Sequence, residues 1–98
     1  MRIVWTEKAG KQLDRIFTYI ADDSVFYAYQ TVDKIIERTE SIDTHPYKGR
    51  TVPEYEREDI REVFHHPYRI IYLIKSQNNT IEILSVIHGA RLLPKEVE

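Results

Sequence analysis

The sequence predicts an α+β domain in which one short strand is followed by a two-helix hairpin and then by three strands, with the helices packed on one face of the sheet. Three observations predict it. Two stretches between residues 7 and 44 repeat apolar residues at steps of three and four. A charged stretch with two prolines follows, without the period of helix or strand. The chain then turns to β-branched and aromatic segments divided by turn residues.

Arg2 to Trp5 is β-prone, and Thr6 can cap a helix starting at Glu7, whose charge suits the positive end of the helix dipole. Ala9, Leu13, Ile16, Phe17 and Ile20 form its apolar stripe, which runs to about Ala21. Asp22-Asp23-Ser24 breaks the helix and offers new caps. Val25, Ala28, Val32, Ile35 or Ile36, Thr39 and Ile42 then mark a second helix. It must stop near Thr44, because Pro46 drives His45 out of the α region and has no N–H for the ladder. The short break makes the two helices an antiparallel hairpin. Residues 46 to 59 are expected to be a long loop, followed by strands over Ile60–His65, Tyr68–Ser76 and Thr80–His88, with turns at His66-Pro67 and Asn78-Asn79.

A two-residue type I′ turn at Asn78-Asn79 would set Lys75 against Glu82, Leu73 against Leu84, Ile71 against Val86 and Arg69 against His88. One face of this hairpin then carries Ile70, Tyr72 and Ile74 with Ile81, Ile83, Ser85 and Ile87, an apolar surface for the helices. The other face carries Ile71, Leu73, Leu84 and Val86, out of the helices' reach. A partner would cover that patch, or the long loop or the C-terminal tail would fold back over it.

With 98 residues, 42% hydrophobic and 31% charged, the chain is expected to form a single domain spanning residues 1–98. The absence of cysteine excludes disulfides, thiolate metal sites and a cysteine nucleophile. Met1 to Trp5 passes directly into charged residues, unlike a signal peptide, and the longest apolar run, Ile70 to Ile74, is far short of the roughly 20 residues that cross a bilayer. A soluble cytoplasmic protein with no membrane partner is expected. A net charge of −2 and a pI near 6.1 argue against direct, sequence-specific DNA binding, although a local basic patch can sit on such a protein.

Few residues carry chemistry on their own. Arg69 and His88, neighbours in the expected register, could hold and protonate a phosphate. The alternative is a structural arginine satisfied by Glu62, Glu82 or a partner's carboxylate. Glu54 could serve as a base toward a ribose hydroxyl, or simply belong to a solvated loop. His45, His65 and His66 lack metal-ligand spacing, and no phosphate loop or nucleophile elbow is present, so neither metal nor cofactor is expected. Trp5 and the seven tyrosines could stack bases, but most fall where half-buried packing is common.

Gly49-Arg50, Val52-Pro53-Glu54, Ile60-Arg61-Glu62-Val63, Tyr68-Arg69-Ile70-Ile71-Tyr72 and Ile87-His88-Gly89-Ala90-Arg91 occur in an order and spacing that resembles the RelE/ParE toxin superfamily through essentially the whole chain. The last three segments resemble its ParE-like, plasmid-stabilisation branch most closely. The resemblance implies a helical hairpin on an antiparallel sheet, a bacterial cytoplasmic setting, and a protein antitoxin whose C-terminal segment wraps the toxin in extended and helical form. Ile71, Leu73, Leu84 and Val86 are the candidate antitoxin contacts, with the helical hairpin as the other candidate surface.

The branches of the superfamily differ in target: ParE-like members inhibit DNA gyrase, whereas RelE-like members cleave messenger RNA on the ribosome. Arg69 matches an arginine common to both. His88 and Arg91 match the ParE-like ending, and no tyrosine follows Tyr72, unlike the C-terminal tyrosine of several of the nucleases. The resemblance therefore implies a gyrase inhibitor with Arg61, Arg69, His88 and Arg91 as candidate target contacts. The alternatives are a ribosome-dependent endoribonuclease using Arg69, His88 and Glu54, and an inactive relative that retains only the antitoxin.

Overall fold

The computed structural model describes residues 1–89 together with Arg91 and Leu93. Strand β1 (Arg2–Trp5) leads into helices α1 (Glu7–Ala21) and α2 (Val25–Glu40), and these into strands β2 (Arg50–Thr51), β3 (Ile60–His65), β4 (Tyr68–Lys75) and β5 (Thr80–His88). Both expected caps are in place. Thr6 Oγ1 accepts from the Ala9 N–H at 3.2 Å, and Ser24 Oγ accepts from the Tyr27 N–H at 3.2 Å. The Thr6 hydroxyl also donates to the Ile83 carbonyl at 2.8 Å, tying the start of α1 to the centre of the sheet. Before Pro46, helix α2 tightens into a 3-10 turn over Ser41–Thr44. None of the described helices is long and apolar enough to cross a membrane.

The five strands are ordered β1-β5-β4-β3-β2. β1 runs parallel to β5 while the other neighbours are antiparallel, so the sheet is mixed where the resemblance implied an antiparallel one. The expected hairpin register is also corrected. The connection from β4 to β5 takes four residues, a 3-10 turn over Ser76–Asn78 and then Asn79 in the left-handed region at φ 52°. Lys75 therefore faces Thr80 and Leu73 faces Glu82. The expected Lys75–Glu82 ion pair survives as a diagonal contact of 3.0 Å.

A bulge then shifts the pairing between Ile71 and Tyr72, so that Ile71 faces Ser85, Ile70 faces Val86, Arg69 faces Ile87 and Tyr68 faces His88. One extra residue reverses the alternation along the rest of β5. Val86 turns to the helix side and Ile87 to the opposite side, each exchanging its expected face.

The main core lies between the hairpin and the sheet, around Ile35, Ile70, Tyr72, Ile81, Ile83 and Val86, with Leu13 and Ile16 of α1 packed against it. A second cluster lies on the outer face: Val52, Ile60, Ile71, Leu73, Leu84 and Ile87, with Tyr55 and Leu93 over it. The chain itself covers this patch, and the expected loop supplies the cover. That segment is not structureless, since Pro46–Lys48 form a 3-10 turn and Arg50–Thr51 pair with β3. Its entry requires Gly49, where a Cβ would overlap the Tyr72 hydroxyl and come within 2.9 Å of the Glu62 carbonyl.

Candidate functional site

The outer face holds a chain of four charged residues. Glu62 on β3 is 1% exposed, and Arg69 beside it on β4 is 6% exposed. The Arg69 Nε donates to Glu62 Oε1 at 2.6 Å, and its two terminal nitrogens donate to the Glu54 oxygens at 2.8 and 3.0 Å. Arg50 donates to the other Glu62 oxygen through Nε at 3.0 Å and through a terminal nitrogen at 2.6 Å. Two cations and two anions alternate, so the charge sums to zero and each buried group has a counter-charge in hydrogen-bond geometry.

Because Arg50 and Glu54 flank Val52, the network also fastens the 50–56 segment over the outer cluster. Hydrogen bonding to Glu54 holds the Arg69 guanidinium protonated against the effect of burial, and Glu62 adds to it. The Arg69 hydrogen bond in turn draws the Glu54 carboxyl below its ordinary 4.5, with burial opposing. A carboxyl depressed in the folded state contributes stability that is complete above the unfolded value and lost as pH falls through the folded one. Glu54→Gln should therefore be less stable than wild type at pH 7, with the gap closing progressively below pH 4.5. Urea titrations at several pH values check this, and a gap that persists undiminished at pH 3 would refute it.

Arg69 is thus closed by carboxylates, the structural alternative named from the sequence. His88 does not meet it: Arg69 pairs with Ile87, while His88 packs edge-on against Tyr68, ring centroids 6.1 Å apart. The nuclease candidates divide accordingly, with Glu54 and Arg69 joined in an ion pair and His88 turned to the helix side.

Of the target-contact candidates, Arg61 is a second clamp on the same segment. It donates to the carbonyls of Tyr47, Gly49 and Glu58 and to the Glu58 carboxylate, and its guanidinium lies over the Tyr47 ring at 5.5 Å. Only His88 and Arg91 come together in an exposed place, where the Arg91 N–H donates to the His88 carbonyl at 3.0 Å. The four candidates therefore do not share one surface.

The antitoxin-contact candidates Ile71, Leu73, Leu84 and Val86 are all buried in the chain, none more than 9% exposed. Three lie under Val52, Tyr55 and Leu93, and Val86 lies in the main core. Contact with the first three would require displacing that cover. The neighbouring tail residues Ala90, Leu92 and Pro94 fall outside the described residues.

Apart from Tyr47, the exposed large hydrophobic residues among those described are on the hairpin. Tyr19, Phe26, Tyr27 and Tyr29 are each more than half exposed, whereas Tyr72 is fully buried, so the expected half-buried packing of tyrosines fails on the helices. Beside Tyr19 a groove of about 270 Å³ opens between α1 and the end of β5, with His88 and Arg91 on its rim. Gln12, Arg15 and Tyr19 also line it; Gln12 and Arg15 were not candidates from the sequence, and Tyr19 was named there only among the tyrosines that could stack bases. Their spacing of three and four along one flank of α1, beside the apolar stripe, was the available signal. Gln12 has a structural duty as well. β1 pairs with β5 only as far as Ile83, and the Gln12 Oε1 accepts the Val86 N–H at 2.9 Å where β1 no longer reaches.

Comparison with known proteins places this geometry. In fold the chain is similar to a solved structure described as "Chromosomal ParDE TA system from P. aeruginosa", with a TM-score of 0.73, 24% identity, and coverage of 90% of this chain and 95% of that one. None of the curated protein sequences compared with the chain matches it. Residues 3–93 match the family model described as the ParE toxin of the type II toxin-antitoxin system parDE, and the chain belongs to that family.

Proposed function

We propose that this toxin inhibits DNA gyrase in the bacterial cytoplasm as a stoichiometric, non-enzymatic inhibitor, and that a cognate protein antitoxin neutralises it. The observation that carries the choice of target is the state of Arg69. A ribonuclease needs a cation, a base and an acid converging on one phosphate. Here the cation is saturated by Glu54 and Glu62, and His88 lies on the opposite side of the sheet. Membership of the ParE family points the same way, since gyrase inhibition is the role the resemblance implies.

Purified toxin in equimolar amounts or modest excess should abolish supercoiling by gyrase and accumulate cleaved DNA bound to the enzyme. Induced alone in a bacterium, it should break chromosomes while transcripts stay intact. Unchanged supercoiling together with cleaved transcripts would transfer the protein to the ribosome-dependent nucleases.

A further inference from the structure

The tip of the helical hairpin, where α1 ends and α2 begins, gathers apolar side chains and charge that the fold does not use. Tyr19 is 81% exposed and Phe26 70%, and Val25, Tyr27 and Tyr29 are each more than half exposed. Single exposed aromatics are ordinary, but aromatics gathered at one end of a hairpin mark a contact surface. A concavity of about 450 Å³ lies among them, walled by Tyr19, Ile20 and Tyr27 and closed by Asp22, Asp23 and Ser24. Glu54, Glu58, Asp59, Glu62 and Glu82 are held by cations of the chain, whereas Asp22 and Asp23 are exposed and belong to no ion pair among the described residues. The turn that presents these carboxylates is fixed from both sides. The Asp22 N–H donates to the Thr18 carbonyl, the Asp23 and Ser24 N–H groups donate to the Ile20 carbonyl, and Ser24 caps α2.

Uncompensated carboxylates beside tyrosine rings fit a cation: the carboxylates accept from an ammonium or guanidinium, and the ring faces attract the same charge. A nucleic acid is repelled by those carboxylates. A second copy docked tip to tip about a two-fold axis would set the Asp22-Asp23 pairs against each other. A protein segment bearing arginine or lysine satisfies carboxylates and rings together, and a cationic surface is what a DNA-handling protein displays.

We infer that the hairpin tip docks on a basic segment of gyrase, with arginine or lysine side chains in the concavity lined by Tyr19 and Tyr27 and their charge on Asp22 and Asp23. The inference rests on the gyrase reading above and adds a contact surface to it. Tyr19 lines both this concavity and the groove that carries His88 and Arg91, so the tip is continuous with the exposed pair of target-contact candidates. Carboxylates at one end of this surface and cations at the other fix which way the toxin lies on the enzyme.

The test compares full-length wild type with Asp22→Lys/Asp23→Lys, Asp22→Asn/Asp23→Asn and Tyr27→Ser for binding to purified gyrase, at low and moderate salt, and for binding to the cognate antitoxin. All three positions are exposed, so the variants should melt close to the wild type. Should the lysine pair lower the melting temperature, the asparagine pair, equal in size to aspartate, carries the test. Charge reversal should weaken gyrase binding about tenfold or more and neutralisation by a few fold, with both differences shrinking as salt rises. Tyr27→Ser should weaken it by a few fold with less dependence on salt. Gyrase inhibition by the charge-reversed toxin should fall in step. If the wild type inhibits gyrase and the charge-reversed and asparagine variants inhibit it equally well, the contact is overturned and the gyrase reading stands. Loss of antitoxin affinity alone, with gyrase binding intact, would make the tip an antitoxin surface and the inference wrong. A wild-type toxin that neither binds nor inhibits gyrase removes the gyrase reading and this contact with it.

Discussion

Arg69→Ala should lower the stability of the folded chain by about 3–5 kcal/mol, the usual cost of breaking one side of a buried ion pair. The guanidinium is 7% exposed at its side chain and the Glu62 carboxylate 0%, so solvent cannot replace what the substitution removes. Alanine leaves Glu62 with Arg50 as its one remaining counter-charge, and Glu54 loses both bonds that hold the segment down. The midpoint of urea unfolding measures the loss.

The double variant Arg69→Leu with Glu62→Leu separates charge from packing. It removes both buried charges and leaves the more exposed Arg50 and Glu54 to water, so it should recover most of the stability lost by Arg69→Ala. A cost below about 1 kcal/mol for Arg69→Ala, the range of a surface salt bridge, would mean that the network does not fasten the segment. The same pair of variants bears on function. A toxin that retains gyrase inhibition without the Arg69 guanidinium, assayed at a temperature where it is folded, is not using that group as a phosphate ligand.

Tyr72→Ala should cost a similar amount, about 3–5 kcal/mol, as expected for emptying a large buried aromatic site. Tyr72 is fully buried in the main core, and its hydroxyl donates to the Pro46 carbonyl at 2.6 Å. That bond, with a backbone hydrogen bond from Gly49 to the same hydroxyl, links the core to the segment covering the sheet's other face. Tyr72→Phe keeps the ring and removes the donor, leaving the Pro46 carbonyl without this bond, and should cost about 1–2 kcal/mol. Hydrogen exchange adds a local signature: in Tyr72→Phe the amides of residues 48–56 should lose protection before those of β4 and β5. Uniform loss across the sheet would show instead that the hydroxyl supports the core alone and not the segment.

Much of the architecture could be read from the chain because it depends on short-range physics. Thr6 and Ser24 cap helices for reasons contained in a few residues on either side, and the steps from Ala9 to Ile20 turn one face of α1 inward whatever the sheet does. Pro46 ends α2 by its own stereochemistry. The segments of β1, β3, β4 and β5 are of the same kind, whereas the two-residue β2, inside the expected loop, was not read. The structural alternative for Arg69 was legible too, since Glu62 was among the acids named for it before any geometry was known.

What eluded the sequence depends on distances across the sheet. Asn78-Asn79 suits a two-residue turn, but pairing β5 with β4 on one side and β1 on the other selects a four-residue connection and places a bulge at the middle of the hairpin. One displaced residue moved Val86 into the main core and His88 away from Arg69, because side chains alternate with a period of two and carry any shift to the strand's end. The groove was illegible for a related reason. Arg15 lies 73 positions before His88, and nothing local to either records that the end of β5 passes beside the first helix. Periodicity and capping act within a turn or two of chain, so they are written in the sequence. Register, burial of the outer face and the meeting of Arg15 with Arg91 are set by how whole elements pack, so they exist only in the folded molecule.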